Sequence, residues 1–178
     1  MKAPRTDKLR TNILSMLLAM VGFGILVGYG TVAISAQDAL WFVKKFDALP
    51  TRIVVYQEGE RTELTAGQPG FAELAEAIRA SVAAGVSRPS GMGLSDLSRQ
   101  DAYQKFVTVE AFFDTPARVH ANFNVGRPTQ MLFPITGRHS DLNVAFMGAD
   151  GTYFAGAPIL KTTQPIRDAL KALGFKTE

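Results

Sequence analysis

The sequence has no cysteine, only two histidines and a single tryptophan among its 178 residues. Without cysteine, the chain forms no disulfide, no thiolate metal site and no lipid anchor on an N-terminal cysteine. Two histidines are too few to form a metal site without cysteine, and the Asp-x-Asp-x-Asp-Gly pattern of a calcium loop is missing. No metal site is therefore predicted. A Gly-x-x-x-x-Gly-Lys-Ser/Thr loop is also missing, and we predict no cofactor.

The formal net charge of +3 comes entirely from the N-terminus. Residues 1–12 carry four basic side chains against one acidic side chain, whereas residues 37–178 carry fifteen Lys and Arg against fifteen Asp and Glu. A nucleic-acid-binding domain needs a basic stripe that neutralises phosphates. The neutral balance of residues 37–178 therefore argues against a nucleic-acid partner.

One long apolar run lies near the N-terminus. No charged residue occurs between Thr11 and Gln37, and residues 13–35 would form a helix of roughly 34 Å, enough to cross a hydrocarbon core of about 30 Å. The apolar region of a secretory signal has only about 7 to 15 residues. Residues 13–36 are therefore predicted to be a single transmembrane helix. The alternative is a signal peptide cleaved after Ala33-Ile34-Ser35, where small residues stand at suitable positions.

The distribution of basic residues orients this span. Residues 1–12 carry four basic side chains, and only three, Lys44, Lys45 and Arg52, lie close to the other end of the span. The positive-inside rule then predicts a basic cytoplasmic tail over residues 1–12. Residues 51–178 are predicted to be an exported domain of a single-pass protein in the cell membrane.

Residues 37–50 are predicted to prolong the helix past the membrane interface and then to form a linker. Leu49-Pro50 would end such a helix, because the residue before proline disfavours the helical conformation. Aromatic and basic side chains in this stretch are suited to the lipid headgroup region. The predicted membrane-interface anchors are Trp41, Phe42, Lys44 and Lys45.

Gly24 and Gly28 form a Gly-x-x-x-Gly spacing within the predicted span. This spacing lets two helix backbones approach closely, so a helix–helix contact through Gly24 and Gly28 is a hypothesis. Glycine is frequent in membrane helices in any case. The alternative is therefore that these two glycines have no partner.

Hydrophobic periodicity in residues 51–178 predicts an α+β domain. Segments rich in β-branched residues predict two hairpins with turns at Glu58-Gly59 and Asp150-Gly151, and apolar residues at helical spacing predict a helix that stops at Gly85. The predicted order is ββα-α-ββββ-α, which gives one mostly antiparallel sheet of about six strands with helices packed on one face. Residues 107–114 and 117–124 both alternate, and they are predicted to form a hairpin that sets Asp114 opposite Arg118.

The stretch Arg138-His139-Ser140-Asp141 looks more like a reactive site than any other part of the chain. A Ser-His-Asp site requires three side chains that converge in space, whereas immediate neighbours in a chain diverge. Gly137 permits a turn here, and Ser140 and Asp141 can hydrogen-bond their own backbone. We therefore predict a polar loop tip, no catalytic residue and no enzymatic activity.

The predicted hairpin would group polar side chains on one face of two strands. Such a face is suited to a partner or to a small anionic ligand. The alternative is an ordinary solvated sheet face that carries one ion pair of little energetic weight. The residues of this candidate patch are Glu110, Phe112, Asp114, Arg118, His120 and Asn122.

Two functions remain open from the sequence. The first is a membrane-anchored domain that makes protein–protein contacts, as an accessory subunit beside another membrane protein or through self-association of its helix. The second is an extracytoplasmic domain that binds or senses a small ligand. A broad exposed apolar patch would favour a partner protein. An apolar concavity with convergent polar groups beside His120 would favour a ligand.

Overall fold

The computed structural model describes the backbone of residues 6–178 and the side chains of residues 12–178. Within this range, the chain forms an N-terminal apolar helix followed by an α+β domain, as predicted. The helices are α1 Thr6–Ala36, α2 Phe71–Ala83, α3 Asp96–Lys105 and α4 Gln164–Ala172. The strands are β1 Arg52–Gln57, β2 Glu60–Thr65, β3 Val86–Pro89, β4 Val107–Phe112, β5 Gln130–Pro134, β6 Phe146–Ala149, β7 Thr152–Tyr153 and β8 Pro158–Leu160.

Helix α1 contains the segment Asn12–Ala36, which is long and apolar enough to cross a membrane. Its most apolar stretch is not buried against the domain, so the apolar side chains are free to face lipid, while the backbone groups in the interior of the helix bond to one another. A signal sequence meets the same criteria of length and composition. Part of the predicted cytoplasmic tail, residues 1–5, lies outside the described residues.

Helix α1 ends at Ala36, and the helical extension predicted within residues 37–50 is wrong. Gln37 takes a left-handed backbone conformation (φ 54°), which turns the chain out of the helix. The apolar residues that suggested a longer helix serve instead to attach this segment to the domain. Phe46, for example, is 1% exposed and packs edge-on against Phe113.

The main sheet has six antiparallel strands in the order β2-β1-β4-β5-β6-β7. Two predicted hairpins are confirmed: Glu58-Gly59 joins β1 to β2, and Asp150-Gly151 joins β6 to β7. All four turn residues have positive φ, as this type of two-residue turn requires. β5 lies inside the sheet and is buried along its whole length. β3 and β8 form a separate two-stranded sheet.

The predicted hairpin between residues 107–114 and 117–124 is wrong. β4 pairs with β1 on one side and with β5 on the other, so that Ala111 lies opposite both Ile53 and Met131. Residues 117–124 form no strand, although alternate apolar side chains among them are buried. The alternation of apolar residues indicates which side chains are buried. Which strands pair with each other depends on competition between strands that are distant in the sequence.

Helices cover both faces of the main sheet. α2 and α4 pack on the face that carries Ile53, Val109 and Phe133, and they form the larger core there. α3 covers the opposite face, where the hydroxyl of Thr108 donates to the carbonyl of Ala102 at 3.0 Å. The expected packing on one face thus applies to α2 and α4. The face under α3 receives buried polar side chains of the sheet.

Candidate functional site

The end of α1 is fixed to the domain by polar contacts with the segment after β4. Nδ1 of His120 lies 2.6 Å from Oδ2 of Asp38, and the two side chains are only 12% and 11% exposed. Beside this pair, the amide of Asn124 donates to Oε1 of Gln37 at 3.2 Å. Two consecutive residues directly after the helix are therefore held by the domain.

The surroundings of Asp38 favour its ionised form. Burial by itself raises the pKa of this carboxyl, but hydrogen bonds from His120 and the backbone N–H of Leu40, together with the positive charges of His120 and Arg118, outweigh burial. The pKa of Asp38 is consequently lowered from its ordinary value of 3.8. An ionised carboxylate can only accept, so Nδ1 of His120 carries the proton that it donates.

Strong acid should release the junction between α1 and the domain. Because the pKa of Asp38 is lowered on folding, the stabilisation from its ionised form is complete above the ordinary value of 3.8 and is lost as the pH falls through the lowered pKa. We expect the emission of Trp41, the single tryptophan, to change in this acid range in the full-length protein. In Asp38→Asn, the emission should already be altered at pH 7 and should show no such step. An unchanged acid step in Asp38→Asn would assign the titration to another group.

A cavity of about 250 Å³ lies beside His120, where the segment after α1 meets the start of β3. Apolar residues such as Val43, Val86 and Ala121 form part of its wall. None of the lining residues among those described is acidic. The polar lining residues are Trp41, Lys44, Ser87, His120, Asn122 and Lys161.

The two lysines that line this cavity, Lys44 and Lys161, have no ion-pair partner among the described residues. Nε1 of Trp41 is buried without an acceptor in the part of the chain that the structure describes. The stems of both lysines approach Gly85, where an added Cβ would lie 3.8 to 3.9 Å from each of them. The cavity therefore has a positively charged lining without an acidic side chain among the described residues.

A second polar cluster is closed under α3. Glu110, which is 5% exposed, accepts hydrogen bonds from the hydroxyls of Tyr56 at 3.3 Å, Tyr103 at 3.1 Å and Tyr153. Burial, and then the negative charge of Glu110, raise the pKa of all three tyrosines, which keeps them protonated as donors. Each polar group thus has a partner, and the cluster stabilises the fold.

No family model, curated protein or solved structure that was compared with the chain matches it.

The six residues of the predicted patch do not form one surface, because the hairpin that would have joined them is absent. His120 and Asn122 line the cavity described above, whereas Glu110 is buried under α3. Phe112 lies under the guanidinium of Arg52, whose Cζ is 3.7 Å from the ring centroid. The two others are exposed and separate: Asp114 accepts from Thr51 at 2.8 Å, and Arg118 lines a different cavity beside Asp38.

The loop of residues 138–141 has the geometry of a turn. The hydroxyl of Ser140 donates to the carbonyl of Gly137 at 2.8 Å, and Ser140–Leu142 forms one 3-10 turn. The ring of His139 contacts Phe146, at a centroid distance of 6.1 Å. The serine and the histidine therefore point to different neighbours, and the stretch is a polar loop tip.

Proposed function

We propose that this protein is a single-pass cell-membrane protein whose extracytoplasmic domain binds or senses a small ligand in the cavity beside His120. The observation that carries this proposal is a concave site of about 250 Å³ that is lined by Lys44 and Lys161 and, among the described residues, by no acidic side chain. Binding sites for small molecules typically combine an apolar wall with a few polar groups that converge on the ligand. This cavity has both features.

The surface of the domain gives less support to a broad contact with another protein. Among its described residues, 51–178, the large hydrophobic side chains that are clearly exposed are Leu97 and Leu142. Interaction surfaces usually gather several such side chains into one patch. Ligand binding is therefore the function that the domain supports best, and it was the second of the two functions that the sequence left open.

The site also connects a ligand to the membrane anchor. Trp41 and Lys44 belong to the segment that follows α1, and His120 is held by Asp38, two residues after the helix ends. A ligand that contacts these residues would favour the attached state of the junction over a released state. Binding of a ligand in the cavity would thus change how the end of α1 is held against the domain, and so how α1 contacts a partner in the membrane.

The proposed orientation places the cavity next to the outer headgroups. It rests on the positive-inside rule and on an uncleaved helix. Leu40, Phe42 and Leu49, in the segment that follows α1, are 46%, 58% and 55% exposed. Exposed apolar side chains beside Lys44 and Lys45 support the role of this segment as a membrane-interface anchor.

The single tryptophan gives a direct test of ligand binding. We expect Trp41 emission of the full-length protein in mild detergent to change saturably with at least one compound from a panel of small anions, amino acids and sugars. Asn122→Phe, which places a ring at the exposed wall of the cavity, should abolish this response. Gln100→Phe, at an exposed amide on α3, should retain it. A panel without any saturable response, or a full response in Asn122→Phe, would contradict the proposal.

Contact with a protein partner through the membrane helix is a second candidate function, and one observation favours it. Among the described residues outside their own stretch of helix backbone, no atom lies within 4 Å of a Cβ added to Gly24 or Gly28, so their helix face is open to another helix. The partner would be a second copy of α1 or a helix of another membrane protein. The domain would then serve as part of a larger assembly.

Substitution of the two glycines should weaken such an association. We expect Gly24→Leu combined with Gly28→Leu to raise the dissociation constant of a dimer at least about tenfold, because the helix backbones could no longer approach closely. Native mass spectrometry of the full-length protein across a concentration series would measure it. Gly22→Leu with Gly30→Leu is the matched control, because these glycines are also open but lie on roughly the opposite side of the helix. Equal effects of both pairs would remove the specific contact.

A further inference from the structure

We propose that the cavity beside His120 recognises a phosphate group, and that its position suits the headgroup of an anionic phospholipid. This inference rests on the proposed ligand site and specifies the chemistry of its ligand. A free phosphate anion would present the same oxygens, and the experiment below separates the two sources.

The charges around the cavity favour an anion. Lys44 and Lys161 both line the cavity with methylene groups near Gly85, and no acidic residue among those described lines it. The nearest acids along the chain are already engaged, since Asp47 pairs with Lys45 at 2.7 Å and Asp38 pairs with His120. Two ammonium groups that share a cavity repel each other unless a negative ligand lies between them.

The hydrogen-bonding groups favour phosphate among anions. Phosphate oxygens act only as acceptors and take several donors from different directions, whereas a carboxylate offers two oxygens in one plane. Lys44 and Lys161, from different segments of the chain, each contribute an ammonium group to the lining of the cavity. The side-chain amide of Asn122 lines the same space. This set of donors matches a tetrahedral anion better than a planar one.

The location favours a lipid as the source of the phosphate. Lys44 follows the end of α1 by eight residues, so the cavity lies at the depth where headgroups meet the domain. Phe42, 58% exposed, lines the cavity and offers an apolar edge to acyl chains. Basic pockets beside membrane helices bind acidic headgroups by the same combination of charge and apolar contact.

A titration of Trp41 emission tests this inference on the full-length protein in a nonionic detergent. The probes are short-chain phosphatidylglycerol, short-chain phosphatidylcholine and inorganic phosphate. We expect saturable binding of phosphatidylglycerol, and a dissociation constant that rises about tenfold in Lys44→Gln and in Lys161→Gln. Lys45→Gln should change it less than about twofold, because Lys45 lies equally close to the membrane but does not line the cavity. Circular dichroism confirms that each variant is folded.

The outcomes separate the ligand class from the site itself. Tighter binding of phosphatidylglycerol than of inorganic phosphate supports a lipid source, and equal binding supports a free phosphate. The inference is overturned if neither saturates, or if Lys45→Gln weakens binding as much as Lys161→Gln, since that would indicate general attraction to negative charge. If an uncharged sugar alone produces a response that Asn122→Phe abolishes, the ligand site stands and the phosphate assignment fails.

Discussion

Replacing Glu110 with alanine should lower the free energy of unfolding by about 3 to 5 kcal/mol, which is the range for removing one member of a buried charged network. The carboxylate is the common acceptor for Tyr56, Tyr103 and Tyr153, and all three hydroxyls lie under or beside α3. In the alanine variant, these donors lose their acceptor in a site that excludes water, and each unsatisfied group costs about 1 to 3 kcal/mol. Urea unfolding of the full-length protein in mild detergent, followed by circular dichroism, measures the change.

Two matched variants separate the charge from the hydrogen bonds. Glu110→Gln keeps one acceptor oxygen and the same shape, so it should cost less than the alanine variant. Tyr56→Phe removes only the longest of the three hydrogen bonds, and a loss of about 1 kcal/mol is expected. Trp41 emission should respond to ligand in all three variants, since the cluster and the cavity are separate. A free energy of unfolding within 1 kcal/mol of the wild type in Glu110→Ala would show that water replaces the carboxylate.

Gly148→Ala should cost about 3 kcal/mol, the second largest effect that we expect, because of overlap with rigid backbone. Gly148 lies in β6 opposite Tyr153 of β7, and an added Cβ would overlap the backbone carbonyl of Thr152. This carbonyl cannot move away unless the tight turn between the two strands opens. Urea unfolding of the full-length protein, followed by circular dichroism, measures the change in the free energy of unfolding.

The control for this substitution is Gly93→Ala. Gly93 has no atom within 4 Å of an added Cβ and has ordinary backbone dihedral angles, so alanine should be tolerated there within about 0.5 kcal/mol. If Gly148→Ala proves as stable as Gly93→Ala, the β6–β7 hairpin is more adaptable than its close packing indicates.

Local signals in the sequence were sufficient for much of the fold. The turns at Glu58-Gly59 and Asp150-Gly151 were predictable because only a few residue types accept positive φ at both turn positions. Helix α2 was predictable from its apolar spacing, and Gly85, at φ 106°, stands just beyond its end as expected. These features depend on residues that are close in the sequence, and distant contacts reinforce them.

Strand pairing was not predictable in the same way. Residues 107–114 and 117–124 have matching alternation and a short connection, which is all that a local register test can assess. β1, more than fifty residues before β4 in the chain, occupies the edge of β4 instead, with Val55 opposite Val109. The helical extension over residues 37–50 failed for a related reason, since the buried position of Phe46 depends on a distant partner, Phe113.

The candidate site was only partly predictable. His120 and Asn122 were selected as polar residues on an alternating segment, and both line the cavity. Ser87, in β3, and Lys161, directly after β8, reach it from parts of the chain that are far away in the sequence, and no pattern around either residue indicated this. Glu110 was interpreted as a surface residue because its polarity fits a solvated strand face, and nothing near it in the sequence reveals that Tyr153 would enclose it.

The two ends of the main sheet have a consequence for how copies of this domain behave at high concentration. The edge strand β2 presents exposed charged side chains, including Glu60, Arg61 and Glu63, and the opposite edge, β7, is only two residues long. Charges and short length both prevent an edge from templating a strand of a neighbouring molecule. The proposed membrane anchor would hold copies of the domain in one plane, which raises their effective concentration. Crowded copies of the domain are therefore protected from cross-β aggregation at the edges of this sheet.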